Sequence, residues 1–134
     1  MVNETNRNAR QKIAEGLTEH SRLKSWADTD VAEMKLFIGI LLWMGLVKLP
    51  RISSYWSRDK LYINGVASAV MTRNRFQLLL KMWHFSDNED PLATTDRLHK
   101  IRYVMNSLID NFAAARQPSE NITVDETMVP FRGS

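Results

Sequence analysis

Apolar positions recur at steps of three and four along most of this chain, the spacing of helices that bury one face. The clearest case begins at Asp30, a good N-cap, with Glu33 three residues later completing a capping-box pattern. From Leu36 to Leu46 apolar residues then cover nearly every face, so a helix over 30–47 is expected at the centre of the fold, surrounded by others. Gly39 suggests a close helix approach, Gly45 marks termination, and Pro50 lies past the end. Thr72 reads as the N-cap of a second helix, Arg73 to Phe85, with Phe76, Leu79, Leu80 and Trp83 at helical spacing. Leu98, Ile101, Met105, Leu108, Ile109 and Phe112 form one stripe, which predicts a last helix over 96–116, stopped by Pro118.

The remaining pieces carry thinner patterns. Residues 5–17 are polar, with Ile13 and Leu17 alone at an i, i+4 spacing, so a helix there depends on docking. Ser21 to Thr29 reads as a connection anchored by Leu23 and Trp26. In the segment 50–65 the anchors are Ile52, Tyr55, Trp56, Leu61 and Tyr62; Ser53-Ser54 can cap a short turn and Gly65 closes the piece. Val66 to Met71 is a short helix, and Ser86 to Thr95, with Asp87, Asn88, Glu89, Asp90 and Pro91, is a loop. The β-branched run Ile122-Thr123-Val124 ending in Asp125 reads as a strand. The fold class is therefore mainly α, helices first and one strand last.

Composition narrows the function. At 134 residues, 44% hydrophobic and 25% charged, the chain has the make-up of an ordinary globular domain. It contains no Cys, and its three His are scattered, so neither a disulfide framework nor a thiolate zinc site is expected. The acids of the 87–90 loop lack the glycine and distal Glu of a calcium loop. The longest apolar run, Leu36 to Val47, is twelve residues, short of the roughly 20 that span a bilayer. No signal-peptide core opens the chain. An intracellular protein without a membrane span or a small-molecule substrate is the expectation. Of the net charge of +3, residues 46–82 hold a local excess: Lys48, Arg51, Arg58, Lys60, Arg73, Arg75 and Lys81 against Asp59 alone. Such an excess is either a phosphate-facing surface or a solvated face neutralised by the acidic last third.

Six stretches are more specific than their physics requires: Phe37-Ile38-Gly39-Ile40-Leu41-Leu42-Trp43-Met44-Gly45-Leu46-Val47-Lys48-Leu49-Pro50 running into Ile52-Ser53-Ser54-Tyr55-Trp56-Ser57; Met71-Thr72-Arg73-Asn74-Arg75-Phe76; His84-Phe85-Ser86-Asp87-Asn88; Asp96-Arg97-Leu98-His99-Lys100-Ile101; and Val124-Asp125-Glu126-Thr127-Met128-Val129-Pro130-Phe131-Arg132-Gly133. In this order, over residues 30–133, they resemble the piggyBac family of DNA transposases and the domesticated proteins derived from them. The resemblance implies a polar N-terminal helix and connection (1–29), a helical dimerisation and DNA-binding region (30–117), and the start of a ribonuclease-H-like catalytic domain (118–134), of which only the first β-strand falls within the sequence. It implies that Asp125 is the first of three catalytic Asp residues that, in intact members, hold two Mg or Mn ions. It further implies a nuclear protein, DNA as partner and a homodimer. No cofactor is expected in this stretch itself.

A two-metal site needs carboxylates converging on ions roughly 3.5–4 Å apart. Asp125 alone does not supply that, and Glu126 points to the opposite face of a strand. The expectation is a truncated transposase domain that does not cleave DNA by itself. Chemistry is expected instead at Lys48, Arg51, Arg58, Arg73, Arg75 and Lys81, with Arg73 and Arg75 near a helix N-terminus that favours phosphate. Tyr55, Trp56 and Trp83 are expected in the core. A different reading is a protein-interaction module, carried by the all-round apolar helix 30–47; a transposon remnant with no selected function is a third.

Overall fold

The computed structural model of the chain describes residues 1–62, 65–87, 89–91 and 95–116, and the regular structure among them is helical throughout. The helices are α1 (Val2–Ala14), α2 (Val31–Leu46), α3 (Val66–Val70), α4 (Arg73–Met82) and α5 (His99–Ala115), with 3₁₀ turns at Arg22–Ser25 and Ile52–Trp56. The expected strand Ile122–Asp125, and with it the 118–134 segment, lies outside the described residues.

α2 starts as its sequence predicts: the Asp30 side chain accepts the Glu33 N–H at 2.7 Å. The second half of the capping box is diverted, because the Glu33 carboxylate turns to Arg75. Met34, Phe37 and Ile40 form the buried row, joined by Tyr55, Ala67, Met71, Phe76 and Leu79 in one core. Phe37 and Phe76 are fully enclosed, with ring centroids 5.2 Å apart, and Trp83 meets Phe37 edge-on at 5.2 Å. Burying each Phe stabilises the fold by roughly 1.5–3 kcal/mol. The expectation that α2 is surrounded on all sides is not met: Val31, Leu36, Leu42 and Leu46 face outwards, Leu46 at 85% exposure. Gly39 likewise meets no close helix contact among the described residues. Gly45 lies inside the helix, which ends after Leu46 with the Val47 N–H bonded to the Trp43 carbonyl.

Tyr55 fixes the path of the chain beyond α2. Its hydroxyl donates to the Val47 carbonyl at 2.6 Å and accepts the Leu49 N–H at 3.0 Å, clasping the helix end. Next to it, the Trp56 indole donates to the Met71 carbonyl at 2.7 Å and ties the turn to the end of α3. Arg51 stands at the cap of this turn, and Ser53 and Ser54 lie within it rather than capping it. Ile52 and Leu61, expected as anchors, are exposed. Gly65 closes the segment at φ +68°, a left-handed conformation that a residue with a Cβ resists.

α1 docks by a different chemistry from the one its sparse stripe suggests. Ile13 is exposed, and the inner face is Thr5, Asn6 and Ala9. The buried Asn6 amide exchanges two hydrogen bonds with the Thr29 backbone, at 2.8 and 2.9 Å. Asn8 donates to the Met82 carbonyl at 3.0 Å, and the Thr5 hydroxyl bonds both the N–H and the carbonyl of His84. Small polar side chains thereby let α1 approach the chain end of α4, where Ala9 meets Leu78, Met82 and Leu23. The same clasp explains why α4 stops at Met82 and not Phe85: Thr5 captures His84 out of the helix. α1 itself runs from Val2 to Ala14, earlier than expected, because Gly16 at φ +105° turns the chain away.

α5 begins at His99, three residues later than expected. Asp96 folds its carboxylate onto the Leu98 N–H (2.9 Å) and takes a bidentate bond from Arg102. No residue of α5 is buried, and of the expected stripe Leu98, Ile101, Leu108, Ile109 and Phe112 are exposed and Met105 is half-buried. The stripe is real as a pattern, but nothing among the described residues covers it.

Candidate nucleic-acid interface

Two neighbouring open recesses share the wall made by Trp56, Ser57 and Arg73. One, of about 490 Å³, is bordered by Arg51, Ser53, Ser54 and Tyr62; the other, of about 450 Å³, by Arg58, Ser68 and Thr72. The fold thus brings together three of the six expected phosphate contacts, Arg51, Arg58 and Arg73, from the turn after α2 and the start of α4. All three are exposed, and none forms an ion pair with a carboxylate among the described residues. The acid on this surface, Asp59, has one carboxylate oxygen taken up by the Leu61 N–H at 3.0 Å.

The serine and threonine side chains are functional candidates that the sequence pattern did not single out. The Ser53, Ser54 and Ser57 hydroxyls can donate to phosphate oxygens beside the guanidinium groups, while the Ser68 hydroxyl already donates to the Gly65 carbonyl at 3.1 Å. The Thr72 side chain accepts the Arg75 N–H at 3.3 Å, so the first turn of α4 is capped with Arg73 beside it. Guanidinium forks, hydroxyls and an amide-rich helix start on one open surface have the chemistry to hold an extended row of anionic oxygens.

The other three expected residues lie elsewhere. Arg75 is turned inwards: its fork donates to both oxygens of Glu33 at 2.6 and 2.7 Å, and its guanidinium carbon lies 4.9 Å from the centre of the Trp26 ring. Its side chain is only 18% exposed. Arg75 holds the Glu33 carboxyl below its ordinary pKa, against the opposing effect of burial. Lys81 borders separate recesses at the far end of α4, and Lys48 is exposed beside the Tyr55 clasp. Of the acidic loop, Asp87 is ion-paired to Arg7 and accepts the Glu89 N–H at 3.0 Å, and both hold its pKa below the usual range. No three His, Asp or Glu side chains converge as a metal-binding group among the described residues, and Asp125 lies outside them. No helix among the described residues is long and apolar enough to cross a membrane.

Comparison with known proteins adds a second line. The family model described as Transposase IS4 matches residues 1–134, the whole chain. Human PiggyBac transposable element-derived protein 3 is 30% identical over 102 residues, 76% of this chain and 17% of that protein. Human PiggyBac transposable element-derived protein 2 is 29% identical over 134 residues, 99% of this chain and 20% of that protein. Human PiggyBac transposable element-derived protein 5 is 28% identical over 108 residues, 78% of this chain and 20% of its own length. The chain therefore spans about a fifth or less of each of these relatives. No solved structure matches it at a significant level.

Proposed function

Because the chain belongs to the piggyBac family of transposase-derived proteins, we propose that its helical region is a DNA-binding module. Its contact surface is centred on Arg51, Arg58 and Arg73. The observation that carries this reading is the convergence of three exposed guanidinium groups, none paired to a carboxylate among the described residues, with serine hydroxyls on two adjoining recesses. Contacts of this kind fix backbone phosphates and leave base sequence unread. Lys48 and Lys81 lie outside this surface, and Arg75 acts mainly by holding α2, α4 and Trp26 together. Asp125 is, on this reading, the first metal-binding carboxylate of the family's catalytic site, and the nucleus is where the protein would meet its DNA.

The test is fluorescence anisotropy with random-sequence duplex at low salt. The Arg51→Ala, Arg58→Ala, Arg73→Ala triple variant should bind at least about tenfold more weakly, a loss of about 1.4 kcal/mol or more. Equal affinity would rule this surface out as the DNA contact.

A second reading, a homodimerisation module, is favoured by the outward apolar faces of α2 and α5, with Leu42 at 70% and Phe112 at 69% exposure. Exposed apolar area on this scale marks association surfaces. Light scattering separates the two readings. A dimer whose mass is indifferent to salt, without affinity for DNA, supports the second against the first.

A further inference from the structure

Guanidinium groups and hydroxyls suffice to hold phosphates, yet this surface also carries aromatic side chains. The recess of about 490 Å³ is bordered by Trp56 and Tyr62 as well as by Arg51 and Arg73. Trp56 and Arg73 also border the neighbouring recess of about 450 Å³. A duplex presents its phosphates on a convex outer edge with its bases stacked inside, and gripping that edge needs neither a hollow nor a ring. A hollow of this volume lies in the range of sites that enclose a small organic group, roughly 300–1,000 Å³.

The other tryptophans spend their rings inside the fold. Arg75 lies over the Trp26 ring, 4.9 Å from its centre, and Trp43 meets Tyr55 edge-on at 5.4 Å. Trp83 packs on Phe37 and Phe85, at 5.2 and 4.8 Å. Trp56 is anchored from the core side: its indole donates to the Met71 carbonyl at 2.7 Å, and its ring lies 5.0 Å from that of Phe76. The half-buried side chain is thereby held rigid while it borders both recesses. Tyr62 is fixed through its backbone, whose N–H donates to the Asp59 carbonyl at 3.0 Å. Its half-buried side chain forms no hydrogen bond and no ring contact among the described residues. Two rings and two guanidinium groups without a carboxylate partner thus share one hollow.

We infer that this recess takes an unstacked base, so that the DNA this module prefers carries unpaired nucleotides. The inference rests on the DNA-binding reading of the same surface and narrows its substrate from any duplex to DNA with a single-stranded segment. Arg51 and Arg73 neutralise phosphates beside the base, and Tyr62 and Trp56 give the base an apolar, π-rich wall. Every base has a π-face, so such a site is indifferent to sequence, in keeping with phosphate contacts that read none. A paired base enters only by leaving its stack, a cost that is smallest for a base already single-stranded.

Fluorescence anisotropy on the full chain, at fixed salt, tests this with three probes. They are a blunt duplex, the same duplex with a short thymidine overhang, and that overhang with abasic sites in place of its bases. The last two differ in their bases alone. The wild type should bind the thymidine overhang about tenfold or more tighter than the abasic one, the scale of a stacked base. Tyr62→Ala should bring these two probes level, and Tyr62→Phe, which keeps the ring, should retain the preference. The Tyr62 side chain has no partner to lose among the described residues, so the Ala variant is expected to fold, and an unchanged circular dichroism spectrum verifies this. Equal wild-type affinity for the thymidine and abasic overhangs, with the blunt duplex still bound, overturns this inference and leaves the DNA-binding surface standing. No affinity for any of the three probes overturns both. A preference that survives in Tyr62→Ala places the stacked base elsewhere and overturns its assignment to this recess.

Discussion

Arg75 and Tyr55 show how single side chains hold this fold together. The bidentate pair of Arg75 with Glu33 joins α4 to α2, with both side chains less than a third exposed. Glu33→Gln should destabilise the chain by about 1–3 kcal/mol in urea unfolding, because Arg75 keeps its charge and loses its anionic partner. The pH dependence has a definite sign. The Glu33 carboxyl is lowered below its ordinary pKa in the folded state, first by the Arg75 hydrogen bonds, so its stabilisation is complete above the ordinary carboxylate range. It fades as pH falls through the lowered value. Between about pH 5 and pH 3 the wild type should therefore lose stability more steeply than Glu33→Gln. Asp96, held at about 2 by Arg102 and the Leu98 N–H, has the same sign. A parallel pH profile for wild type and variant would show that Glu33 contributes nothing through its charge. Tyr55→Phe removes the hydroxyl's bonds to Val47 and Leu49 at the end of α2 and should cost about 1 kcal/mol per bond lost, read by the same unfolding midpoint.

At the scale of elements, local signals were legible and facing was not. Asp30 and Thr72 cap α2 and α4 as their sequence contexts predict, and the buried Phe76 and Leu79 of α4 follow from their helical spacing. The direction of the apolar faces does not. α2 reads as buried all round and is buried on one side; α5 carries a strong stripe that meets no partner among the described residues. α1 errs the other way, since Thr5, Asn6 and Asn8 dock through hydrogen bonds to backbone groups that no hydrophobic pattern encodes. These differences predict contrasting sensitivities. Leu79→Ala, in the closed core, should cost about 2–5 kcal/mol. Phe112→Ser, on the open stripe of α5, should leave monomer stability within about 0.5 kcal/mol. If α5 were instead integral to the core of the monomer, Phe112→Ser would shift the unfolding midpoint as Leu79→Ala does.

For the whole molecule, the local excess of positive charge over residues 46–82 was legible in sequence, while its sorting required the fold. Arg51 and Arg58 stand in the connection after α2, and Arg73 starts α4; only the docking of the Ile52–Trp56 turn against the end of α3 brings them together. Arg75, two residues from Arg73, faces the other way because its helix turns it towards Glu33 and Trp26. The i, i+2 spacing places the two arginines on different faces of the helix, but it does not say which face meets Glu33. The family was legible from six motifs, because such motifs specify identity at positions where packing asks only for an apolar or polar side chain. The most direct measurement of the central claim is the salt dependence of duplex-DNA affinity for the wild type and the Arg51→Ala, Arg58→Ala, Arg73→Ala variant. If these residues hold phosphates, log K should fall steeply with log salt in the wild type, and the slope should flatten by about 0.9 per lost contact, about 2.7 in all. Affinity that is absent at low salt, or a slope unchanged by removing the three charges, would contradict the assignment of this surface to DNA.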